Sequence, residues 1–276
     1  DKAQMFVDIM PEGPADDGIA YLNFYLEEDA DKEAILKDVR AALDELKSYM
    51  DIGEGTIEES QTEDKDWINN WKEYFHQFYV DDILIVPSWE EVKAEDQDKM
   101  ILHIDPGTAF GTGMHETTQL VIRQLKKYVT PDTEMLDVGT GSGILGIVAI
   151  KLGAKHVLGT DLDPCAVPAV AENKEANGIP EEAFDMMIGN IIDDKEVQDQ
   201  AGYEKYDIVT ANILADVLLP LTPVIVHQMK KGAYYITSGI LDVKEEVVVE
   251  AVKAAGLTVV EVTHQGEWVS VTARKD

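Results

Sequence analysis

A chain of 276 residues has room for two domains, one of them a wide sheet domain with a full core. Hydrophobic residues make up 45%, which sets disorder aside. Acidic side chains outnumber basic ones 54 to 23, a formal charge of −31, and this argues against a large nucleic-acid footprint, which needs clustered Lys and Arg. The acidity fits solubility or a salty medium, and it also fits electrostatic attraction of a basic partner. The single cysteine, Cys165, allows no intramolecular disulfide and no Cys-cluster zinc site, so a reducing compartment is expected. The sequence shows no apolar run of about 18 residues and no signal peptide, and the expectation is a cytoplasmic protein without a membrane partner.

The first 64 residues read as a small α+β unit. Strands are predicted at Met5–Ile9 and Ile19–Leu26. Asp31 caps a helix whose Ala34, Ile35, Val39, Ala42, Leu43 and Leu46 form an apolar stripe, and a short strand follows at Thr56–Ser60. This segment holds 19 acidic and 5 basic side chains. From Asp66 to Phe78, aromatic residues recur at helical spacing, which predicts a helix packing its aromatic face between two domains; an aromatic ligand cage is the other reading. Ile83–Val86 is a strand stopped by Pro87, Trp89–Asp98 a polar loop and plausible boundary, and Met100–Ile104 a further strand.

From Thr117 the chain alternates strands and helices. Helices are predicted from Thr117 or Thr118 to Tyr128, at Gly143–Leu152, Pro164–Asn177, Leu214–Met229 with Pro220 and Pro223 inside it, and Val243–Ala255. The intervening strands are Met135–Val138, His156–Thr160, Phe184–Ile188, Tyr206–Ala211 and Ala233–Thr237. Such alternation implies a parallel sheet covered on both faces. Leu257–Thr263 and Trp268–Ala273 are close enough to form a terminal antiparallel hairpin. That ending is unusual for a dinucleotide dehydrogenase and usual for the Rossmann-like α/β fold of class I methyltransferases, with seven strands.

Four segments carry chemistry. Asp137-Val138-Gly139-Thr140-Gly141-Ser142-Gly143 sits where a strand becomes a helix, so its glycines let the backbone turn tightly against a ligand, and Gly139 and Gly141 are candidate cofactor contacts. Gly141 to Gly146 also matches the dinucleotide pattern GxGxxG, which keeps an NAD-dependent oxidoreductase open as a rival. Asp161, 20 residues past Gly141 at the next strand end, can accept both hydroxyls of an adenosyl ribose; Asp163 is read as a helix cap ahead of Pro164. Asn212 ends the strand Tyr206–Ala211 and is the candidate catalytic residue, with a plain turn residue as the alternative. Methyltransferases acting on flat bases or amides follow such a residue with Pro-Pro and an aromatic. Ile213 and Leu214 stand here instead, and favour an aliphatic amine. Finally, Asp105 to Thr118 is a glycine-rich loop that could close over a cofactor, offering Phe110, Thr112 and the Thr118 hydroxyl; His115 within it is equally readable as structural.

Taken together, Asp105 to Thr118, Asp137 to Gly143, Asp161-Leu162-Asp163-Pro164, Ala211-Asn212-Ile213-Leu214 and Thr237-Ser238-Gly239-Ile240 resemble the bacterial methyltransferases that modify large-subunit ribosomal protein eleven. The similarity spans nearly the whole chain, including Trp67 and Trp71; Glu116 departs from it where the family often has proline. The resemblance implies S-adenosylmethionine as cofactor, bound through Thr118, Gly139, Asp161 and Asn212. It implies methylation of the α-amino group and lysine ε-amino groups of a basic ribosomal protein. It also implies a ferredoxin-like substrate-recognition domain over residues 1–64, of which this chain is expected to lack the first strand and helix. A linker helix and connecting strand over 65–98 and a catalytic domain over 99–276 complete the arrangement. The rivals are a class I methyltransferase acting on another protein or a small amine, the NAD-dependent enzyme, and a non-catalytic binding protein.

Overall fold

The computed structural model describes residues 32–49, 52–53, 55–57, 76–104 and 113–276. The chain divides into two compact units, Asp1–Glu63 and Asp64–Asp276. In the first, helix α1 (Lys32–Leu46) carries half-buried Ile35, Leu36, Val39 and Leu43, which share one face by their spacing. The strands expected at Met5–Ile9 and Ile19–Leu26 lie outside the described residues, as does the aromatic helix as far as Phe75. Thr56 and Ile57 belong to no strand.

Among the described residues of the second unit, the first element is a hairpin. Strands β1 (Phe78–Val80) and β2 (Ile83–Val86) pair antiparallel around Asp81-Asp82, and β3 (Met100–His103) runs parallel to β2. Phe78 therefore lies in a strand and not at the end of a helix. Val80 faces Ile83 across the two-residue turn, where Asp81 adopts a φ of 54°, a conformation Asp tolerates better than most residues. Helix α2 (Glu116–Tyr128) grips that turn: Arg123 meets Asp81 at 3.0 Å, and Lys126 reaches both Asp81 and Asp82.

The main sheet has seven strands: β4 (Glu134–Val138), β5 (His156–Asp161), β6 (Phe184–Ile188), β7 (Tyr206–Asn212), β8 (Met229–Leu241), β9 (Leu257–Gln265) and β10 (Trp268–Lys275). Their order is β6-β5-β4-β7-β8-β10-β9. The first five are parallel, and β10 runs antiparallel to both β8 and β9. This is the class I methyltransferase fold with the expected terminal hairpin.

The crossovers carry α3 (Ile144–Lys151), α4 (Ala166–Ala176), α5 (Lys195–Ala201), α6 (Ala215–Ile225) and α7 (Glu245–Ala254). One core includes Leu218, Leu221 and Ile225 of α6 and Val248 and Val252 of α7. The other includes Val121 and Leu125 of α2 and Ile147 and Val148 of α3, and there Val80, Ile83, Ile85 and Leu102 of the small sheet join it. With both faces covered, the central strands β4 and β7 are buried along almost their whole length rather than at alternate residues.

Three elements differ from expectation, the first being β8, which runs Met229–Leu241 where Ala233–Thr237 was expected. Helix α6 ends at Ile225 because Met229 is already paired with Tyr206 as the start of β8. Helix α5 was not expected: Lys195–Ala201 buries only Val197 and Ala201, too little for a periodic signal. Asp194 caps it by accepting the Glu196 and Val197 N–H groups. Parallel strands joined by helices place the carboxyl ends of β4, β5, β7 and β8 along one edge, and the site lies there.

Candidate active site at the switch point of the sheet

The strand order reverses at β4, which has β5 on one side and β7 on the other. Ligands of open α/β sheets bind in the crevice at the carboxyl ends of such a pair. Val138 and Asn212 end β4 and β7 there. Beyond Val138, Gly139, Gly141 and Gly143 adopt φ values of 71°, 53° and 81°, a left-handed sequence that side chains would strain. The turn is anchored from below. The Gly139 and Thr140 N–H groups donate to the Thr160 carbonyl at 2.8 and 3.1 Å, and the buried Asn173 of α4 donates to the Ser142 carbonyl at 2.9 Å.

Asp161 meets this turn directly. The Gly141 N–H donates to its Oδ2 at 2.8 Å and the Asp163 N–H to its Oδ1 at 3.0 Å. Each oxygen keeps a second lone pair, enough for a pair of neighbouring hydroxyls. Asp163 in turn accepts from the Cys165 N–H at 2.9 Å in a local turn ahead of α4; the cap position is Cys165, so Asp163 is not the helix cap expected of it.

Asn212 and Thr118 also come together. The Asn212 carboxamide nitrogen donates to the buried Thr118 hydroxyl at 3.2 Å, across 94 residues of sequence, which leaves the carboxamide oxygen free to accept from a ligand. Thr118 is set by the start of α2, where His115 serves as cap: its Nδ1 accepts from the Thr117 N–H at 3.3 Å, and its ring packs edge-on against Trp268 at 4.7 Å. His115 thus has a structural task. Of the residues singled out in the sequence, Thr118, Gly139, Gly141, Asp161 and Asn212 all line this edge. Phe110 and Thr112 lie outside the described residues.

Two features of the site come from the fold and not from residue type. Ile213 is wedged between two glycines. A Cβ on Gly139 would stand 2.5 Å from Ile213 Cγ2, and one on Gly239 would stand 2.3 Å from the Ile213 carbonyl oxygen. Beneath the glycine turn, Asp137 is fully buried, accepting from Thr140 Oγ1 at 2.7 Å and Thr210 Oγ1 at 2.6 Å. Burial pushes its carboxyl up to about 6; the two hydroxyls pull it down, and the charge of Asp161 adds to the rise. The Asp was visible in the motif, but its burial depends on β7 lying alongside β4.

This donor set suits S-adenosylmethionine: a carboxylate for a ribose diol, a tight glycine turn at a helix start, and a polar pair at the switch point. Comparisons with known proteins agree. A family model described as ribosomal protein L11 methyltransferase (PrmA) matches residues 3–276. The ribosomal protein L11 methyltransferase of Agathobacter rectalis is 54% identical over 100% of this chain and 86% of its own length. That of Lachnospira eligens is 57% identical over 98% of this chain and 86% of its own length. The crystal structure of the ribosomal protein L11 methylase of Lactobacillus delbrueckii subsp. bulgaricus, 32% identical, superposes with a TM-score of 0.65, covering 73% of this chain and all of that one. The chain belongs to the ribosomal protein L11 methyltransferase family, and it is an S-adenosylmethionine-dependent protein methyltransferase.

Proposed function

We propose that this chain transfers methyl groups to the α-amino group and lysine ε-amino groups of ribosomal protein L11. In this reading residues 1–64 recognise the substrate, 65–98 link and 99–276 catalyse. The observation that carries it is the Asn212–Thr118 pair at the switch point, beside the Gly141–Asp161 contact. Gly139, Gly141, Asp161 and Thr118 hold the cofactor, with Phe110 and Thr112 contributing from the preceding loop. S-adenosylmethionine supplies a methyl group on a cationic sulfonium, open to in-line displacement by a neutral amine.

The chain's own work is orientation. The Asn212 oxygen accepts an amine N–H and so turns the nitrogen lone pair toward the reacting centre, while Thr118 fixes the carboxamide. Alignment of this kind contributes about 7–11 kcal/mol in favourable cases. The amine must be neutral. An α-amine with a pKa near ~8 meets that condition readily, and a lysine near ~10.4 is helped by desolvation in the crevice. Ile213 is wedged and Leu214 is exposed, so neither offers a flat platform for a base or an amide, in keeping with an aliphatic amine. The net charge of −31 and the acidic excess of residues 1–64 suit a basic substrate.

Asn212→Ala is expected to lower kcat by about 100-fold, the loss typical of a misplaced reactant. Cofactor affinity, read by calorimetric titration, should fall far less. Full turnover at saturating L11 would remove Asn212 from this role.

A further inference from the structure

The carboxyl edge carries a surface that the cofactor site does not use. Leu214 and Val217 open α6 immediately after Asn212, and Leu241 and Val243 end β8 and lead into α7. The two segments are neighbours: Lys244 Nζ lies 3.1 Å from Asp216 Oδ1, and the Ile213 N–H donates to the Ser238 carbonyl. Leu214 is 61% exposed and Val243 is 82% exposed; Val217 and Leu241 are exposed as well. One exposed aliphatic residue is ordinary, but four on adjoining segments beside a reaction centre mark a contact surface. They are not the core face of these elements, because Leu218, Leu221 and Val248 fill that role and are fully buried.

The rim is anionic. Asp216, Asp242 and Glu246 are exposed among the apolar side chains, and Glu267 of the hairpin turn joins them, its carbonyl accepting the Asp242 N–H at 2.9 Å. Lys244 is the one cation in these two stretches, and Asp216 already partners it. A nucleic acid would be repelled by this rim. A second copy of a chain carrying −31 would bring the same carboxylates against themselves.

We propose that Leu214, Val217, Leu241 and Val243 form the docking surface for the segment of the substrate that flanks the methylated amine. That segment is extended and cationic, with an aliphatic side chain that seats on the patch. The inference rests on the function proposed above and adds a second recognition element, placed on the catalytic domain itself.

The test is a pair of double variants, Val217→Lys with Val243→Lys and Val217→Glu with Val243→Glu, assayed for labelled methyl transfer to L11 and titrated with S-adenosylmethionine. Both side chains are exposed, so the fold should tolerate either pair. The lysine pair should raise the KM for L11 by about tenfold or more, leaving kcat and cofactor affinity within about twofold; the glutamate pair should raise KM less, because it keeps the attracting charge. An unchanged KM in the lysine pair overturns the proposal. So does an unchanged KM accompanied by loss of a dimer seen in the parent, which would assign the face to a second copy. A parent chain that transfers no methyl to L11 overturns the function reading, which the parent assay reports separately, and the surface falls with it.

Discussion

Replacing Gly239 by alanine should lower kcat/KM for methyl transfer by about 100-fold, while the same replacement at Gly256 should leave it within about twofold. The two glycines are matched in backbone conformation, with φ values of 83° and 84°. Each alanine therefore carries a similar left-handed strain, roughly 1–2 kcal/mol. They differ in surroundings. A Cβ at Gly256 meets nothing within 4 Å, whereas one at Gly239 stands 2.3 Å from the Ile213 carbonyl oxygen and 2.7 Å from its carbon. Those are backbone atoms, so the loop after Asn212 must move by roughly 1 Å, and misplacement on that scale costs about 100-fold in rate.

The position of Gly239 explains why the chain accepts so tight a contact. Ser238 and Gly239 of β8 together oppose Ser270 of β10, a β-bulge between the pairs Val271–Thr237 and Val269–Ile240. The bulge swings β8 against the loop, and the Ser238 carbonyl accepts the Ile213 N–H at 3.2 Å. Steady-state kinetics on both variants, with thermal unfolding to match their stabilities, checks this. Equal losses at Gly239 and Gly256 would mean that strain alone was at work and that the loop is not held by this contact.

The second large effect is on stability. Asp137→Asn should make the protein more resistant to urea near neutral pH, with an advantage that shrinks as pH falls. Burial raises the folded carboxyl from its ordinary 3.8 to about 6. The native state therefore takes up a proton before the unfolded chain does. The stability contributed by that proton is fully present below pH ~4 and is lost as pH rises through about 6. The interval corresponds to about 3 kcal/mol, borne by the native state at neutral pH. An amide carries no such dependence, and of the Thr140 and Thr210 hydroxyls, which bond different carboxylate oxygens, the one facing the amide nitrogen can reverse to accept while the other still donates to the amide oxygen. The variant-minus-parent difference in unfolding free energy should grow by about 1 kcal/mol per pH unit from pH 5 to 6 and level off above 7. A difference independent of pH would show that Asp137 titrates in its ordinary range.

Much of the sheet was legible because strands covered on both faces are largely apolar, as with Met135, Leu136 and Val138 or Ile208, Val209 and Ala211, and end at turn residues. The terminal hairpin was legible because only four residues separate the expected strands Leu257–Thr263 and Trp268–Ala273; β9 and β10 extend to leave two. Short or polar elements were not. Helix α5 buries two side chains, and β1 is three residues long beside an aromatic run whose spacing also reads as helix. The parallel pairing of β2 with β3 has no local signal at all.

At the site, the glycine turn, Asp161 and Asn212 announce themselves by residue type at strand ends. Their partners do not. The Asn212–Thr118 hydrogen bond, the wedging of Ile213 between Gly139 and Gly239, and the burial of Asp137 under Thr210 all join segments far apart in sequence. They arise only when β7 settles between β4 and β8.

The most direct test of the central claim is incubation of the purified chain with methyl-labelled S-adenosylmethionine and unmodified ribosomal protein L11, followed by mapping of the labelled sites. The predicted result is label on the α-amino group and on lysine ε-amino groups, introduced about 100-fold more slowly by Asn212→Ala. Absence of transfer, or label on a side chain other than an amine, would contradict the account.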